Sequence, residues 1–246
     1  LKKFVFLTAA ATLATMAITT TQAFADQTGG VYTTDGVIEF TPSKKRAETV
    51  DPQDPSRPVK PIDPENPTKP ITPGTQGPLS IDFASNFYFG KQEITSETKT
   101  YNAAAQKYLD SAGKEQTGPN FVQVSDNRGT ETGWKLLLKQ EKQFTSTNGK
   151  ELIGAQVSLE NGRVVTNSKS KAPAGETAIT VAVGADQKVM NAKTGSGAGT
   201  YLLDWGNDEK DGATSVHLTV PGSTTKYAEK YSTTFTWKLT DAPDNK

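Results

Sequence analysis

The chain has 246 residues, 34% of them hydrophobic, and a mean hydropathy of −0.56, so any core must be concentrated in part of its length. Lys+Arg and Asp+Glu both number 27, and this neutrality excludes an electrostatic grip on nucleic acid or anionic lipid, which needs a cationic excess. There is no cysteine, which excludes disulfides, thiolate metal sites and cysteine nucleophiles together.

The N-terminus reads as a leader. Lys2 and Lys3 form a short basic region, Phe4 to Ile18 is apolar and rich in alanine, and Ala23-Phe24-Ala25 places small residues at both recognition positions of a cleavage site. This pattern predicts a secretory signal peptide over residues 1–25, cut after Ala25. No later stretch is long and apolar enough to read as a membrane span, and the end, Asp241–Lys246, is polar with no sorting motif before it. The expectation is an exported protein held on the cell by a folded domain.

Residues 26–50 read as an irregular arm, with one short strand expected within Val31–Phe40. Then a proline falls at every third position: Pro52, Pro55, Pro58, Pro61, Pro64, Pro67, Pro70 and Pro73. Polyproline II has three residues per turn, so these rings align along one edge of a rod. At ~3.1 Å per residue the rod is about 70 Å long, and residues 51–78 are expected to be a stiff spacer.

From Leu79 to Lys246 the texture becomes that of an all-β domain, a single β-sandwich or barrel. Short alternating apolar runs are separated by Gly, Asn, Asp and Ser. Ile81 alternates with Phe83, and Trp134, Leu136 and Leu138 share one strand face. Asn148-Gly149 and Asn161-Gly162 each predict a hairpin turn, because Asn-Gly readily takes positive φ angles. Strands are expected over 178–183, 216–220 and 232–239, and a weak helix over Tyr101–Asp110.

Convergent catalytic groups are hard to find. The sole histidine, His217, alternates with Val216 and Leu218 and reads as a strand-surface residue. Asp204, Asn207, Asp208 and Asp211-Gly212 read as a solvated loop, since their spacing does not match a calcium loop. Gly195-Ser196-Gly197-Ala198-Gly199 reads as a flexible turn and no phosphate cradle. No cofactor or metal site is expected and no enzyme is indicated, although carboxylates converging from distant strands are invisible to such a reading.

One tripeptide recurs. Trp134-Lys135-Leu136 and Trp237-Lys238-Leu239 stand near the start and end of the domain. In a strand, Trp and Leu at i and i+2 point one way and Lys the other. Two readings are open: a pair of core strands, or an aromatic platform that stacks on sugar faces.

These residues carry a resemblance to the WxL-domain surface proteins of low-GC Gram-positive bacteria. Phe121-Val122-Gln123-Val124-Ser125-Asp126-Asn127-Arg128-Gly129, running through Gly133 into Trp134-Lys135-Leu136, resembles the first motif block of that family. Leu152-Ile153-Gly154-Ala155 resembles its central block, and Tyr231 to Pro243 its terminal block. The resemblance implies non-covalent attachment to the cell wall, with peptidoglycan as the expected ligand and other surface proteins as partners in an assembly. Export without disulfides fits that setting. An adhesin for host or matrix proteins and a polysaccharide-active enzyme are the rival readings.

Overall fold

A computed structural model describes residues 30–245; the leader read in residues 1–25, with Ala23 and Ala25, lies outside them. The chain divides into two units, one ending at Glu39 and one running from Phe40 to Lys246. In the first, residues 30–39 form no strand, and Val31, Tyr32, Val37 and Ile38 are exposed, as is Phe40 just after. The strand expected within Val31–Phe40 is therefore not formed.

The regular structure of the second unit is almost entirely strand. It opens with β1 (Val50–Asp51), β2 (Asp54–Pro58) and β3 (Lys60–Ile62). After a strand-free stretch come β4 (Leu79–Ala84), β5 (Lys99–Asn102), β6 (Gln106–Leu109), β7 (Glu115–Gly118) and β8 (Asn120–Asp126). Next are β9 (Trp134–Gln140), β10 (Thr145–Ser146), β11 (Gln156–Leu159), β12 (Gly162–Val165), β13 (Ala174–Gly175) and β14 (Ile179–Val181). The chain finishes with β15 (Gln187–Ala192), β16 (Gly199–Trp205), helix α1 (Glu209–Ser215), β17 (Val216–Val220), β18 (Tyr231–Ser232) and β19 (Phe235–Thr240).

Three antiparallel four-stranded sheets, ordered β12-β16-β8-β4, β13-β15-β9-β19 and β14-β11-β17-β5, turn their apolar faces to one core. Period-2 alternation does the sorting. On β9 Trp134, Leu136 and Leu138 are fully buried, while Lys135, Leu137 and Lys139 are only partly covered. On β8 Val122 and Val124 face the same core, and Phe121 joins Phe83 and Leu202 in a second, smaller cluster. The all-β architecture expected of the domain is what the chain adopts.

Residues 51–62 of the expected stiff spacer do not stand free of the domain. Residues 48–62 pack on the domain: Pro52 and Val59 are buried, β1 pairs with β2, and β3 pairs with β6. The buried Gln123 accepts from the Val50 N–H at 2.9 Å and donates to the Glu48 carbonyl at 2.8 Å. Asp51 accepts from the Tyr108 hydroxyl at 2.9 Å and from Arg57 at 3.1 Å. Proline's fixed φ lies close to that of an edge strand, so the same residues that stiffen a rod also pair along an edge. Residues 63–78 form no strand, and 65–70 are exposed.

Two further expectations change. Tyr101–Asp110 holds strands β5 and β6, because Tyr101 lies opposite Leu218 and Tyr108 opposite Gln116. Pairing across the fold overrides the local preference of Ala103-Ala104-Ala105 for helix. Asn161-Gly162 carries the chain from β11 in one sheet to β12 in another and makes no hairpin. Asn161 takes the positive φ of 54° alone. Asn148-Gly149 does turn the chain back: Gly149 donates to the Ser146 carbonyl at 3.0 Å with φ of 75°.

The fastening of residues 48–62 gives a stability test. Asp51→Ala strands the buried Tyr108 hydroxyl and should lower unfolding free energy in urea by about 1–3 kcal/mol. Lys69→Ala, in the exposed stretch, should change it by less than about 0.5 kcal/mol.

Candidate functional site

The two tripeptides meet in one sheet. β19 runs antiparallel to β9 with Trp237 opposite Leu138, Leu239 opposite Leu136 and Thr240 opposite Lys135. The register places Trp134, Leu136, Leu138, Trp237 and Leu239 on the core face. Trp134 stands four positions from the Leu138–Trp237 pair, roughly 13 Å along the sheet. The lysines face the other way: Lys135 pairs with Asp244 at 2.6 Å, and Lys238 lies 3.8 Å from Asp186.

Trp134 is fully buried, and its surroundings explain the first motif block. Its indole N–H donates to the Gly197 carbonyl at 2.9 Å, and its ring lies 6.3 Å from that of Tyr201. Asp126 accepts two bonds from the Arg128 guanidinium, at 2.9 and 2.8 Å, and Arg128 donates onward to the Gly133 carbonyl at 2.8 Å. This charge-assisted brace fixes the residue before the tryptophan. Gly133 has φ of 82°, and a Cβ there would meet the Ala192 carbonyl oxygen at 2.4 Å. Gly197 has φ of 83°, and a Cβ there would stand 2.4 Å from the Ala192 Cβ and 2.7 Å from the indole nitrogen. The glycine-rich run read as a flexible turn is thus the fixed wall of a tryptophan socket.

Trp237 differs. β19 is an edge strand, and the ring is only partly buried. It is backed by Trp205, a buried residue to which sequence reasoning assigned no role, at 6.0 Å between centroids. Phe87 stands edge-on to both Trp205, at 6.1 Å, and Phe235, at 5.3 Å. Such ring pairs contribute about 0.5–1.5 kcal/mol each beyond area burial. From core to surface the rings line a groove of about 850 Å³ whose aromatic walls include Phe87, Tyr88, Tyr227, Tyr231, Phe235 and Trp237. Its only sequence signal is the density of aromatics in Phe87-Tyr88-Phe89 and in 227–237.

The remaining candidates do not converge. His217 sits on β17, partly buried, 3.8 Å from Glu160. The acidic loop is corrected: Asp204 is a fully buried residue of β16, 3.3 Å from Arg163, and burial drives its carboxyl well above the ordinary range. Asp208 caps α1 by accepting from the Asp211 N–H at 2.8 Å, and Asp211 accepts from Asn207 at 2.7 Å. Among the described residues no three metal-capable side chains gather, and no helix is long and apolar enough to cross a membrane.

A disulfide-free all-β domain, braced around one buried tryptophan and opening an aromatic groove beside another, has the build of a binding module. The profile of the family described as WxL domain, surface cell wall-binding, matches residues 27–243, and the chain belongs to that family. It is therefore a cell-wall-associated protein of the extracellular surface. Neither curated proteins nor solved structures gave a match.

The two tryptophans should respond differently to truncation. Trp134→Ala is expected to cost about 3–5 kcal/mol in urea unfolding, and Trp237→Ala less, because its ring is partly exposed. Lys135→Gln and Lys238→Gln, which remove exposed ion pairs, should each stay within about 1 kcal/mol of the parent. A Trp134→Ala protein with the parent's midpoint would contradict the socket.

Proposed function

We propose that the domain attaches the protein to the wall by non-covalent binding of peptidoglycan, and that it does so without catalysis. The observation that supports this most strongly is the match to the wall-binding family across residues 27–243, with both tryptophan tripeptides paired in one sheet. The neutral composition fits a ligand held by shape and stacking, since polyanions are held by cationic excess. Sedimentation of the secreted chain with purified sacculi tests the reading. Binding should persist after anionic secondary polymers are stripped, and no soluble sugar should be released. Loss of binding on stripping would transfer the ligand to those polymers, and release of sugar would establish an enzyme.

A second reading adds to the first. Val31, Tyr32, Val37, Ile38 and Phe40 are exposed within ten residues, and an extended Val37–Phe40 would set Ile38 and Phe40 on one face against Val37 and Glu39 on the other, in the manner of a strand that pairs on contact. That segment supports membership of a multi-protein surface complex, in which a neighbouring surface protein covers it. Deletion of residues 31–40 should then leave sacculus binding intact and abolish co-purification with the neighbour.

A further inference from the structure

We propose that the aromatic groove beside Trp237 is the ligand-binding site and that it takes an uncharged pyranose chain. A pyranose ring has an apolar face of C–H groups and an edge of hydroxyls, so it needs aromatic faces alongside polar rim groups. The groove supplies both. Tyr227 is 44% exposed, and Tyr88, Tyr231, Phe235 and Trp237 are partly exposed. Asn86, Gln92, Ser232 and Thr234 stand among its lining residues. Its volume of about 850 Å³ has room for more than one ring and falls within the range of about 300–1,000 Å³ common to ligand sites.

The walls are preorganised. Trp237 rests on the buried Trp205, Phe235 and Trp205 both contact Phe87, and the floor is closed by Phe89 against Phe144 at 6.0 Å. A ring arriving on this surface costs little further ordering of the protein.

The charge pattern selects the occupant. Lys230 is paired with Glu65. Lys226 donates to the carbonyls of Pro221, at 2.9 Å, and Thr224, at 3.1 Å. Glu229 accepts from the Asn148 amide at 3.0 Å, and Asp63 accepts from Asn86 at 3.1 Å. The other two rim charges, Lys91 and Glu93, are exposed and of opposite sign. A rim with two of its three lysines engaged by the protein and the third, Lys91, accompanied by the acidic Glu93 offers little to a phosphate polymer, whereas uncharged sugar meets no repulsion. That this site is also the wall contact rests on the peptidoglycan reading.

The test uses the whole secreted chain and two variants, Tyr88→Ala/Tyr227→Ala and Tyr227→Phe. Calorimetric titration with chitotetraose, an uncharged N-acetylated pyranose chain, runs beside titration with poly(glycerol phosphate) and sedimentation with sacculi. Melting curves confirm that the variants fold. The proposal expects chitotetraose to bind the parent and the Phe variant alike, and the double variant to lose at least tenfold in affinity for both chitotetraose and sacculi. Unchanged binding in the folded double variant, or a preference for the phosphate polymer, overturns the groove assignment while leaving the parent's wall binding standing. Groove-dependent chitotetraose binding by a parent that ignores sacculi supports the site and overturns the peptidoglycan reading.

Discussion

The domain closes when β19 lies down beside β9. These strands are about a hundred residues apart, and their pairing brings Trp237 and Leu239 onto the face that already carries Trp134, Leu136 and Leu138. Without the last strand, the core-facing side chains of β9 would lose a flank, and Trp205 would lose the ring tilted against it at 6.0 Å. The tail beyond β19 is locked as well: Asn191 and Asp244 exchange bonds of 2.9 and 2.8 Å. Contacts of such sequence separation form only after long loops have closed. The recurrence of Trp-Lys-Leu near both ends of the domain thus reflects a need to complete one sheet from both ends of its sequence.

The two tripeptides look alike in sequence and do different physical work. Trp134 sits at a place where every neighbour is fixed: a brace from Asp126 through Arg128 to Gly133 on one side, and the Gly197 carbonyl on the other. Trp237 occupies an edge strand, where one flank lacks a neighbouring strand and the ring is part core, part groove wall. Edge position turns the same residue type from a structural pin into a surface able to meet a ligand. The groove is stiff because the ring behind it is buried, so the scaffold and the contact surface share Trp205.

How far the sequence was legible follows from the range of the interactions involved. β9, β17 and β19 could be read because period-2 alternation is local. The pairing of residues 51–62 is not legible in the proline run because their partners and those of the adjoining Val50, Gln123 and Tyr108 among them, lie some fifty to seventy-five positions away, and fixed φ alone does not separate a free rod from an edge strand. Asp204 looked like part of an acidic loop, yet Phe121 lies opposite it in β8 and buries it as a strand residue. Glycines 195–199 looked flexible because their constraint comes from an indole more than sixty residues earlier. The groove was not legible at all, since its walls come from residues 87–94, 144, 152 and 226–237, which only the closed fold assembles.

The proposed groove divides the labour among the tryptophans: Trp134 and Trp205 would hold the domain, and Trp237 would face the ligand. With three tryptophans in the chain, fluorine labelling of the indoles yields one resonance for each, assignable by single Trp→Phe replacement. Titration with soluble peptidoglycan fragments should move the Trp237 resonance most, shift that of Trp205 slightly through their contact, and leave that of Trp134 in place. A shift largest at Trp134, with Trp237 unmoved, would place the ligand at the socket and overturn this division.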